Sequence, residues 1–469
     1  MPPSPTLSES LATWAVAVRY QSLPADVAQR TQDATLDLLG VALAGVATPA
    51  ARIIRGLALE AGGRPEATVL GSRERLPACQ AALANGTAAH GIDLDDGHRL
   101  AAGHPGVTVI AAALAAAEVD NATGADFLVA VAAGYEVFIR LASFMNPAHL
   151  RRGFHTTGTV GPLGAATAAG LLLGLDATRL AHALGAAASQ GAGLLQVLHE
   201  GAMLKPLHAG RAAQSGLLSA QYAARGGEAP RQALDGSDGY LRALSGSEDG
   251  PDLADLGPPR AILGAYYKLY AACRHVHPAV DAVLDLVGRD DLVPARVVQV
   301  HVRTHQVAER LTGRPGRVAD IGGARFSLPF AVALAALRGS AGPEQFTPSA
   351  LADEELWGFA ERVRVVADPE LTARYPAERG AIVTLHLADG TERTARVVHP
   401  RGEPENPVSR HEIANKFLAN ARPVLGDERA KQVVALVRRL PEIPVRDLTA
   451  AVAVPSKRRA RSSGMSRDI

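Results

Sequence analysis

The sequence predicts a mainly α-helical fold in which a smaller α+β domain is inserted into a large all-helical domain. Apolar runs with helical spacing fill residues 1–262. Alternating polar and apolar residues, typical of strands, are confined to residues 263–403, and helical spacing returns over residues 404–453. Hydrophobic residues make up 47% of the 469 residues but aromatic residues only 4%, so small side chains must form the core, which favours closely packed helices.

Helices are predicted along most of the first region. The chain from Leu7 begins with L-S-E-S-L-A-T-W-A-V-A-V, which has a Ser or Thr cap, and the helical spacing over residues 7–62 ends at glycines. Residues 153–176 and 201–226 each begin as a turn and continue as an apolar helix. Further helices are predicted at residues 74–91, 106–118, 124–142 and 178–189.

The inserted α+β domain is predicted from three alternating segments. These are P-A-R-V-V-Q-V-H-V-R-T, R-V-R-V-V-A-D and A-I-V-T-L-H-L-A-D-G-T-E-R-T-A-R-V-V-H-P. The A-D-G-T within the last segment predicts a hairpin turn. A helix, F-S-L-P-F-A-V-A-L-A-A-L-R-G, lies between the strands. Residues 454–469 form a basic tail that we expect to be disordered, with nucleic-acid binding or targeting as the alternative role.

Composition excludes several classes of protein. The formal net charge of +1 argues against nucleic-acid binding by the folded domains. Only two cysteines, Cys79 and Cys273, are present, so no disulfide framework is expected. The N-terminus lacks a signal peptide, and the uncharged run Thr156–Leu175 contains Gly and Pro and is expected to be a buried helix rather than a membrane span. We therefore expect a cytoplasmic protein without membrane contact.

The segment from His90 to Gly106 is the first candidate for chemistry. It concentrates acidic, imidazole and guanidinium groups between two apolar runs: His90, Asp93, Asp95, Asp96, His98, Arg99 and His104. Charged groups are rarely buried unless they are paired or used. The glycines and proline of this segment break any helix, so we place it on a loop, where binding and catalytic groups concentrate.

Three further turns carry basic or imidazole groups beside apolar sequence: His155, Lys205 with His208, and the segment from Lys268 to His277. Helix N-termini favour anions, so a pocket where such turns meet would suit a polycarboxylate. Each of these residues, taken alone, is more often a structural or surface residue than a catalyst. A Cys–His nucleophile from Cys273 is conceivable, but no local signature supports it.

A metal site is the main rival interpretation of the charged loop. Asp93, Asp95, His98 and His104 are suitable ligand types. However, the chain has no H-E-x-x-H, no EF-hand loop, no P-loop and no G-x-G-x-x-G after a strand. We therefore expect neither a metal nor an organic cofactor.

The motifs, taken together and in order, resemble those of the MmgE/PrpD family, which includes 2-methylcitrate dehydratase, cis-aconitate decarboxylase and iminodisuccinate epimerase. The resemblance runs from about residue 10 to 450. It rests on these motifs: L-D-L-L-G-V-A-L-A-G, D-L-D-D-G-H-R-L-A-A-G-H-P-G, G-F-H-T-T-G-T-V-G, L-K-P-L-H-A-G-R-A-A-Q-S-G, Y-K-L-Y-A-A-C-R-H-V-H-P-A-V-D-A, A-R-F-S-L-P-F-A-V-A and G-E-P-E-N-P-V-S.

This resemblance implies a helical domain interrupted by an α+β lid, a homodimer, and catalysis without metal or organic cofactor at a site between the domains. It implies catalytic roles for His104, His155, Lys205 and Lys268. Substrate-binding roles are assigned to Asp93, His98, Arg99, His208, Cys273, His277 and Arg325.

Two positions depart from the pattern of some members. Gly97 stands where some members have threonine, with one extra residue before His104, and Cys273 stands at an active-site histidine position. These departures suggest a substrate whose carboxylate is met by Arg99 or His98.

The expected function is a dehydratase acting on a hydroxylated di- or tricarboxylic acid by proton abstraction next to a carboxylate. His104 and His155 are the candidate acid and base, since imidazole titrates near working pH. Lys205, Lys268 and Arg99 would stabilise the developing negative charge. Epimerisation or isomerisation, decarboxylation, a metal-dependent hydrolase and a non-catalytic helical scaffold are the alternatives.

Overall fold

A computed structural model describes residues 4–200, 203–289 and 292–454. Most of the described residues are helical, and strands are few. The structure therefore confirms the mainly α-helical prediction with a small β-sheet. The predicted disordered tail lies, after residue 454, outside the described residues.

The first region is built from helices, as predicted. Thr6 caps the first helix through the backbone N–H of Glu9, and the Glu9 side chain accepts from the Thr6 N–H in return, which forms a capping box. The helices are α1 Leu7–Ala17, α2 Ala25–Gly45, α3 Pro49–Ala61, α4 Ala78–Ala89, α5 Gly106–Val119, α6 Gly124–Met145, α7 Ala148–Arg151, α8 Thr156–Leu172, α9 Ala177–Ala188, α10 Gln196–Glu200, α11 Lys205–Ala224 and α12 Tyr240–Ser245.

Four very short strands accompany these helices and were not predicted. They pair as two antiparallel ribbons, β1 Ala67–Thr68 with β2 Arg75–Leu76, and β3 Gly97–His98 with β4 Ala265–Tyr266. The second ribbon joins the charged loop to the start of the inserted region, because Gly97 lies opposite Tyr266.

The inserted region contains a four-stranded mixed sheet. Its strands are β5 Val297–Thr304, β6 Val363–Ala367, β7 Ala381–Leu387 and β8 Glu392–Val397, in the order β6-β5-β7-β8. Strand β5 runs parallel to β6 and antiparallel to β7, and β7 and β8 form the predicted hairpin. The helices of this region are α13 His277–Arg289, α14 Gln306–Thr312, α15 Ile321–Ala324, α16 Leu328–Arg338, α17 Pro348–Leu351, α18 Glu354–Ala360 and α19 Pro369–Arg374.

The chain then returns to the first region through α20 Arg410–Leu425, α21 Asp427–Arg438 and α22 Val445–Val452. Helix α20 packs against α2, and its Phe417 is fully buried in the same hydrophobic cluster as the helices of the first region. A second cluster is formed by residues 270–397 together with Val41, Ile92 and Leu94. The inserted region thus has its own core, to which Val41 of α2 and Ile92 and Leu94 of the charged loop contribute.

Helix α6 is long and apolar enough to cross a bilayer by length and composition. However, 83% of its most apolar window is buried inside the protein. Within the described residues it therefore has the character of a core helix.

Close packing of α4, α8 and α11 depends on glycine. A Cβ atom added to Gly210 of α11 would lie 2.1 Å from Thr87 Oγ1 and 2.3 Å from the Leu83 carbonyl oxygen of α4. One added to Gly216 would lie 2.4 Å from Ala165 Cβ of α8. Small residues thus allow the backbones of these helices to touch. This contact sets the position of the α11 N-terminus, which carries Lys205.

We expect Gly210→Ala to lower the free energy of unfolding by about 1–3 kcal/mol or more, because the new methyl group overlaps backbone atoms of α4. Gly56→Ala in α3 is the matched control, since nothing lies within 4 Å of its added Cβ. It should be neutral or stabilise by up to about 1 kcal/mol through helix propensity. Chemical denaturation measures both variants, and equal effects would contradict the close-packing explanation.

Candidate active site

The charged loop is held in place by backbone features at its centre. A Cβ atom at Gly97 would lie 2.4 Å from the Tyr266 hydroxyl oxygen, so glycine is needed where β3 crosses β4. Asp93 adopts a φ of 54°, a conformation that is uncommon for residues other than glycine. Strained backbone of this kind occurs where surrounding contacts fix a side chain, and Asp93 has such contacts.

Asp93 lies between two lysines brought from distant segments. Lys205 Nζ, from the first residue of α11, donates to Asp93 Oδ1. Lys268 Nζ, just after β4, donates to the Asp93 carbonyl oxygen at 2.9 Å and lies 3.2 Å from Oδ1. Burial opposes ionisation of Asp93, but the adjacent Lys205 and Lys268 lower its pKa well below the ordinary value. Two buried ammonium groups thus share one carboxylate, which leaves an excess of positive charge.

Asp95 lies between two imidazole rings. His90 Nδ1 is 2.9 Å from Asp95 Oδ2, and His104 Nδ1 is also 2.9 Å from that oxygen. His104 Nδ1 also contacts the Asp96 carbonyl oxygen at 2.7 Å. Burial opposes ionisation of Asp95, but the two histidines hold its pKa well below the ordinary value.

The proton position on His104 follows from these contacts. A carbonyl oxygen can only accept, so His104 Nδ1 must carry the proton and donate. In the neutral ring, Nε2 therefore carries the lone pair. The His104 side chain is 13% exposed, whereas those of His90 and Asp95 are fully buried. Asp95 and the Asp96 carbonyl oxygen thus hold the His104 ring in one orientation.

His155 and His208 form a second imidazole pair beside the first. Their Nδ1 atoms are 3.0 Å apart, and the His155 ring stacks on His90 with centroids 6.3 Å apart. Burial, together with the positive charge of Lys205, lowers the pKa of His155 well below its usual value. His155 is therefore neutral near pH 7. His208 also lines a cavity of about 430 Å³, together with residues that include Gly193, Leu207 and Arg211.

Asp96 fixes the end of the loop to the helical core. Its carboxylate accepts from the Tyr135 hydroxyl at 2.7 Å and from the Gly106 N–H, at the start of α5, at 3.1 Å. Burial raises its pKa to about 7 despite the Tyr135 hydrogen bond. Asp96 is thus a structural anchor for His104.

Arg325 and Cys273 border the lysine pair from the inserted region. Arg325 Nη1 donates to the Gly91 carbonyl oxygen at 3.0 Å, while its buried Nε has no hydrogen-bond partner among the described residues. The Cys273 N–H donates to the Arg325 carbonyl oxygen at 2.9 Å. Burial and the nearby Asp93 carboxylate raise the pKa of the Cys273 thiol, which disfavours the thiolate that a Cys–His nucleophile requires.

Three sequence-selected residues have other partners. Arg99 Nη1 donates to Glu405 Oε2 at 2.9 Å, so its charge is already neutralised in this structure. His98 Nδ1 accepts from the Ala101 N–H at 3.2 Å, and burial lowers its pKa to about 4. His277 has Nδ1 3.0 Å from Arg274 Nη1 and Nε2 3.2 Å from the Ala272 carbonyl oxygen. The expected positive field therefore comes from the lysines and Arg325, rather than from Arg99.

The residues that could hold a metal differ from the set that sequence reasoning considered. Asp93 is occupied by the lysines and His98 lies apart, whereas possible ligand atoms of His90, Asp95 and His104 all lie within 4.8 Å of one another. Both imidazoles direct Nδ1 to the same carboxylate, which fits a hydrogen-bonded His–Asp–His group.

Sequence reasoning missed the roles of His90 and Asp95. His90 is the residue that ends α4, and Asp95 follows it by only five positions. In the sequence, Asp95 stands out only as one charged group of the loop and as a possible metal ligand. The available signal was that Asp95 stands within one short loop between two histidines, His90 and His104, so that all three could meet.

Comparison with known proteins gives matches to two domains of one protein family, which together span most of the chain. The model of the MmgE/PrpD N-terminal domain matches residues 9–251, and that of the MmgE/PrpD C-terminal domain matches residues 270–441. The chain is 28% identical over 462 residues to the cis-aconitate decarboxylase-like protein oryM of Aspergillus oryzae, covering 92% of this chain and 94% of that protein. It is 27% identical to cis-aconitate decarboxylase of Aspergillus terreus, over 92% of each chain. Against the Mus musculus cis-aconitate decarboxylase the identity is 26%, over 93% of this chain and 91% of that protein.

We expect folding stability to fall as the pH is lowered from 6.5 towards about 4. Burial lowers the pKa of His90 and of His149 from 6.5 to about 4, so the unfolded chain binds protons in this window while these folded histidines do not. His149 lies outside the cluster, fully buried, with Nε2 2.9 Å from Thr159 Oγ1. His149→Gln should reduce the slope of unfolding free energy against pH by up to about 1.4 kcal/mol per pH unit. Denaturation series at several pH values measure it, and an unchanged slope would contradict a neutral buried His149.

Proposed function

Because this chain belongs to the MmgE/PrpD family, we propose that it is a cofactor-independent lyase that acts on a polycarboxylate. The specific reaction we propose is dehydration of a hydroxylated di- or tricarboxylic acid. The observation that carries the proposal is the orientation of His104. Its Nδ1 is held by Asp95 and the Asp96 carbonyl oxygen, which leaves a lone pair on Nε2 beside the buried pair Lys205 and Lys268.

His104 supplies the base. Its Nε2 lone pair removes the proton from the carbon next to a substrate carboxylate, and Asp95 stabilises the imidazolium that forms. A proton α to a carboxylate is weakly acidic, so the base alone is insufficient. General base catalysis by an oriented side chain contributes about 10²–10⁴-fold.

Lys205, Lys268 and Arg325 supply the positive field. They hold the carboxylate whose negative charge increases as the proton leaves, and burial strengthens this stabilisation. Asp93 keeps both ammonium groups in place before substrate binds, so little reorganisation is needed during the reaction.

In the proposed dehydration, each proton and each electron pair has a defined destination. The α C–H bond breaks and its proton goes to His104 Nε2, while its electron pair forms the new C=C bond. The β C–O bond breaks, and the leaving hydroxide takes a proton from the Lys205 ammonium and departs as water. Burial keeps His155 neutral, so in this scheme it hydrogen-bonds the substrate rather than acting as the acid. Proton transfer from His104 through solvent restores Lys205.

Decarboxylation is the second candidate, because the similar proteins are cis-aconitate decarboxylases or a cis-aconitate decarboxylase-like protein. In that reaction the C–C bond to the carboxylate breaks, carbon dioxide leaves, and the carbanion is protonated. It requires a proton donor at the carbon rather than a base. The contacts of His104 leave a lone pair on Nε2, which can accept a proton but cannot donate one. We therefore propose dehydration first.

We propose a homodimer, supported by large exposed apolar side chains on the neighbouring helices α3 and α11: Ile53, Leu57, Leu218 and Tyr222. We also propose a lid role for the inserted region, whose start carries Lys268. A cytoplasmic location is consistent with both cysteines being free.

A metal-dependent hydrolase remains the rival class, since His90, Asp95 and His104 are possible ligands. Exhaustive chelation separates the two. Full activity after chelation supports the cofactor-independent lyase, and loss that is restored by added zinc supports the hydrolase.

We expect His104→Ala to lower kcat/KM by about 10²–10⁴-fold, because it removes the base. His155→Ala should also lower kcat/KM strongly by removing a substrate contact. His301→Ala, at an exposed position of β5, is the matched control and should retain normal activity. Thermal unfolding must show that each variant folds. Near-normal turnover by both site variants would contradict the assignment.

A substrate panel in D2O identifies the reaction. Hydroxylated di- and tricarboxylates and cis-aconitate are incubated with the protein and followed by mass detection. Absorbance from a new C=C bond without carbon dioxide indicates dehydration. Release of carbon dioxide indicates decarboxylation and would overturn our first choice, as would deuterium exchange without net conversion, which indicates epimerisation.

A further inference from the structure

A second group of buried nitrogen donors lies in the inserted region, outside the His–Asp–His and lysine cluster. Its nitrogens belong to Arg379, His305 and His275, and the half-buried ring of Tyr375 lies beside all three. The His305 ring stacks on Tyr375 with centroids 4.5 Å apart, and the His275 ring lies 5.0 Å from His305. The Arg379 guanidinium carbon lies 5.8 Å from the centre of the Tyr375 ring. Three separate chain segments therefore meet at this point.

Arg379 is a buried cation without an anion. The residue is 5% exposed, and no carboxylate of the described residues lies within ion-pair distance of it. Its Nη2 donates to the Arg99 carbonyl oxygen at 2.6 Å, but its buried Nε–H has no acceptor among the described residues. A buried charge is costly unless it is paired, so this guanidinium calls for an anionic partner from outside the chain.

His305 presents a second unused donor. Its Nδ1 caps α14 by accepting from the Ala308 N–H at 3.3 Å, so in the neutral ring the proton is on Nε2. That Nε2 is buried and has no partner in the part of the chain that the structure describes, and the residue is 1% exposed. His275 Nδ1 is likewise buried without a partner there. Three neighbouring side chains thus each have a buried nitrogen without a hydrogen-bond partner among the described residues.

We propose that Arg379, His305 and His275 form a second carboxylate-binding subsite, which takes the substrate carboxylate that is remote from the reacting carbon. A carboxylate accepts several hydrogen bonds and neutralises the guanidinium. This inference rests on the proposed function, since it adds a second anchor for the same polycarboxylate.

The position of the subsite fits a substrate that extends between the two clusters. Arg379 Nη2 donates a hydrogen bond to the carbonyl oxygen of Arg99, which belongs to the same loop as Asp93 and His104. His275 lies two residues from Cys273, whose N–H bonds Arg325 beside the lysine pair. The same two segments therefore contribute to both clusters.

The test compares ligands with three carboxylates and with one. Propane-1,2,3-tricarboxylate and butyrate are titrated into the wild-type protein by isothermal titration calorimetry. We expect the tricarboxylate to bind at least tenfold more tightly than butyrate. Arg379→Gln should weaken tricarboxylate binding at least tenfold and change butyrate binding less than twofold. His305→Asn keeps an acceptor for the α14 cap but removes the Nε2 donor, and should weaken only the tricarboxylate, by about threefold or more.

Arg374→Gln is the matched control, because this nearby arginine is exposed and already paired with Glu370 and Glu378. It should leave both affinities unchanged. The thermal transition of the ligand-free Arg379→Gln protein should be unchanged or higher, since an unpaired buried charge is removed.

Four outcomes would overturn the inference: no advantage of the tricarboxylate in the wild type, equal weakening of both ligands, no weakening, or loss of only one of two bound tricarboxylates. The last result would indicate a separate effector site. Because binding requires no turnover, His104→Ala should keep the Arg379-dependent advantage, so failure of the proposed catalysis is distinguishable from failure of this subsite.

Discussion

The contact of the Asp93 carboxylate with Lys205 and Lys268 is the interaction on which the rest of the site depends. It joins the charged loop to the N-terminus of α11 and to the start of the inserted region. Removing one partner from such a buried ionic group costs about 3–5 kcal/mol, because the other charges remain buried and unpaired. The same contact creates the excess positive charge that would hold a carboxylate. In the function proposed above, stability and substrate recognition would therefore use one set of atoms.

The helical scaffold makes this contact possible through its small residues. Gly210 and Gly216 allow α11 to approach α4 and α8 closely, so that Lys205 and His208 lie beside the loop that follows α4. Asp96 then joins that loop to α5 and to Tyr135 of α6. His90 and His104 consequently share the Asp95 carboxylate, and the Asp96 carbonyl oxygen further orients His104.

The sequence predicted the helical scaffold and the sheet strands well, because their apolar residues recur with clear helical or alternating spacing. It also selected Asp93, His104, Lys205 and Lys268, which stand as charged groups among apolar residues. It could not predict the partners of each side chain, since pairs such as Arg99 with Glu405 join positions 306 residues apart. Strands β3 and β4 have two residues each, too few for an alternating pattern to be visible. The Arg379 group was missed because its members come from three segments with no common motif.

A crystal structure of the protein in complex with citrate tests the central claim most directly. The account predicts one citrate carboxylate at hydrogen-bond distance, about 3 Å, from both Lys205 Nζ and Lys268 Nζ, with a substrate carbon facing His104 Nε2. Citrate bound away from the lysine pair, or an anomalous-scattering peak from a metal ion coordinated by His90, Asp95 and His104, would contradict it.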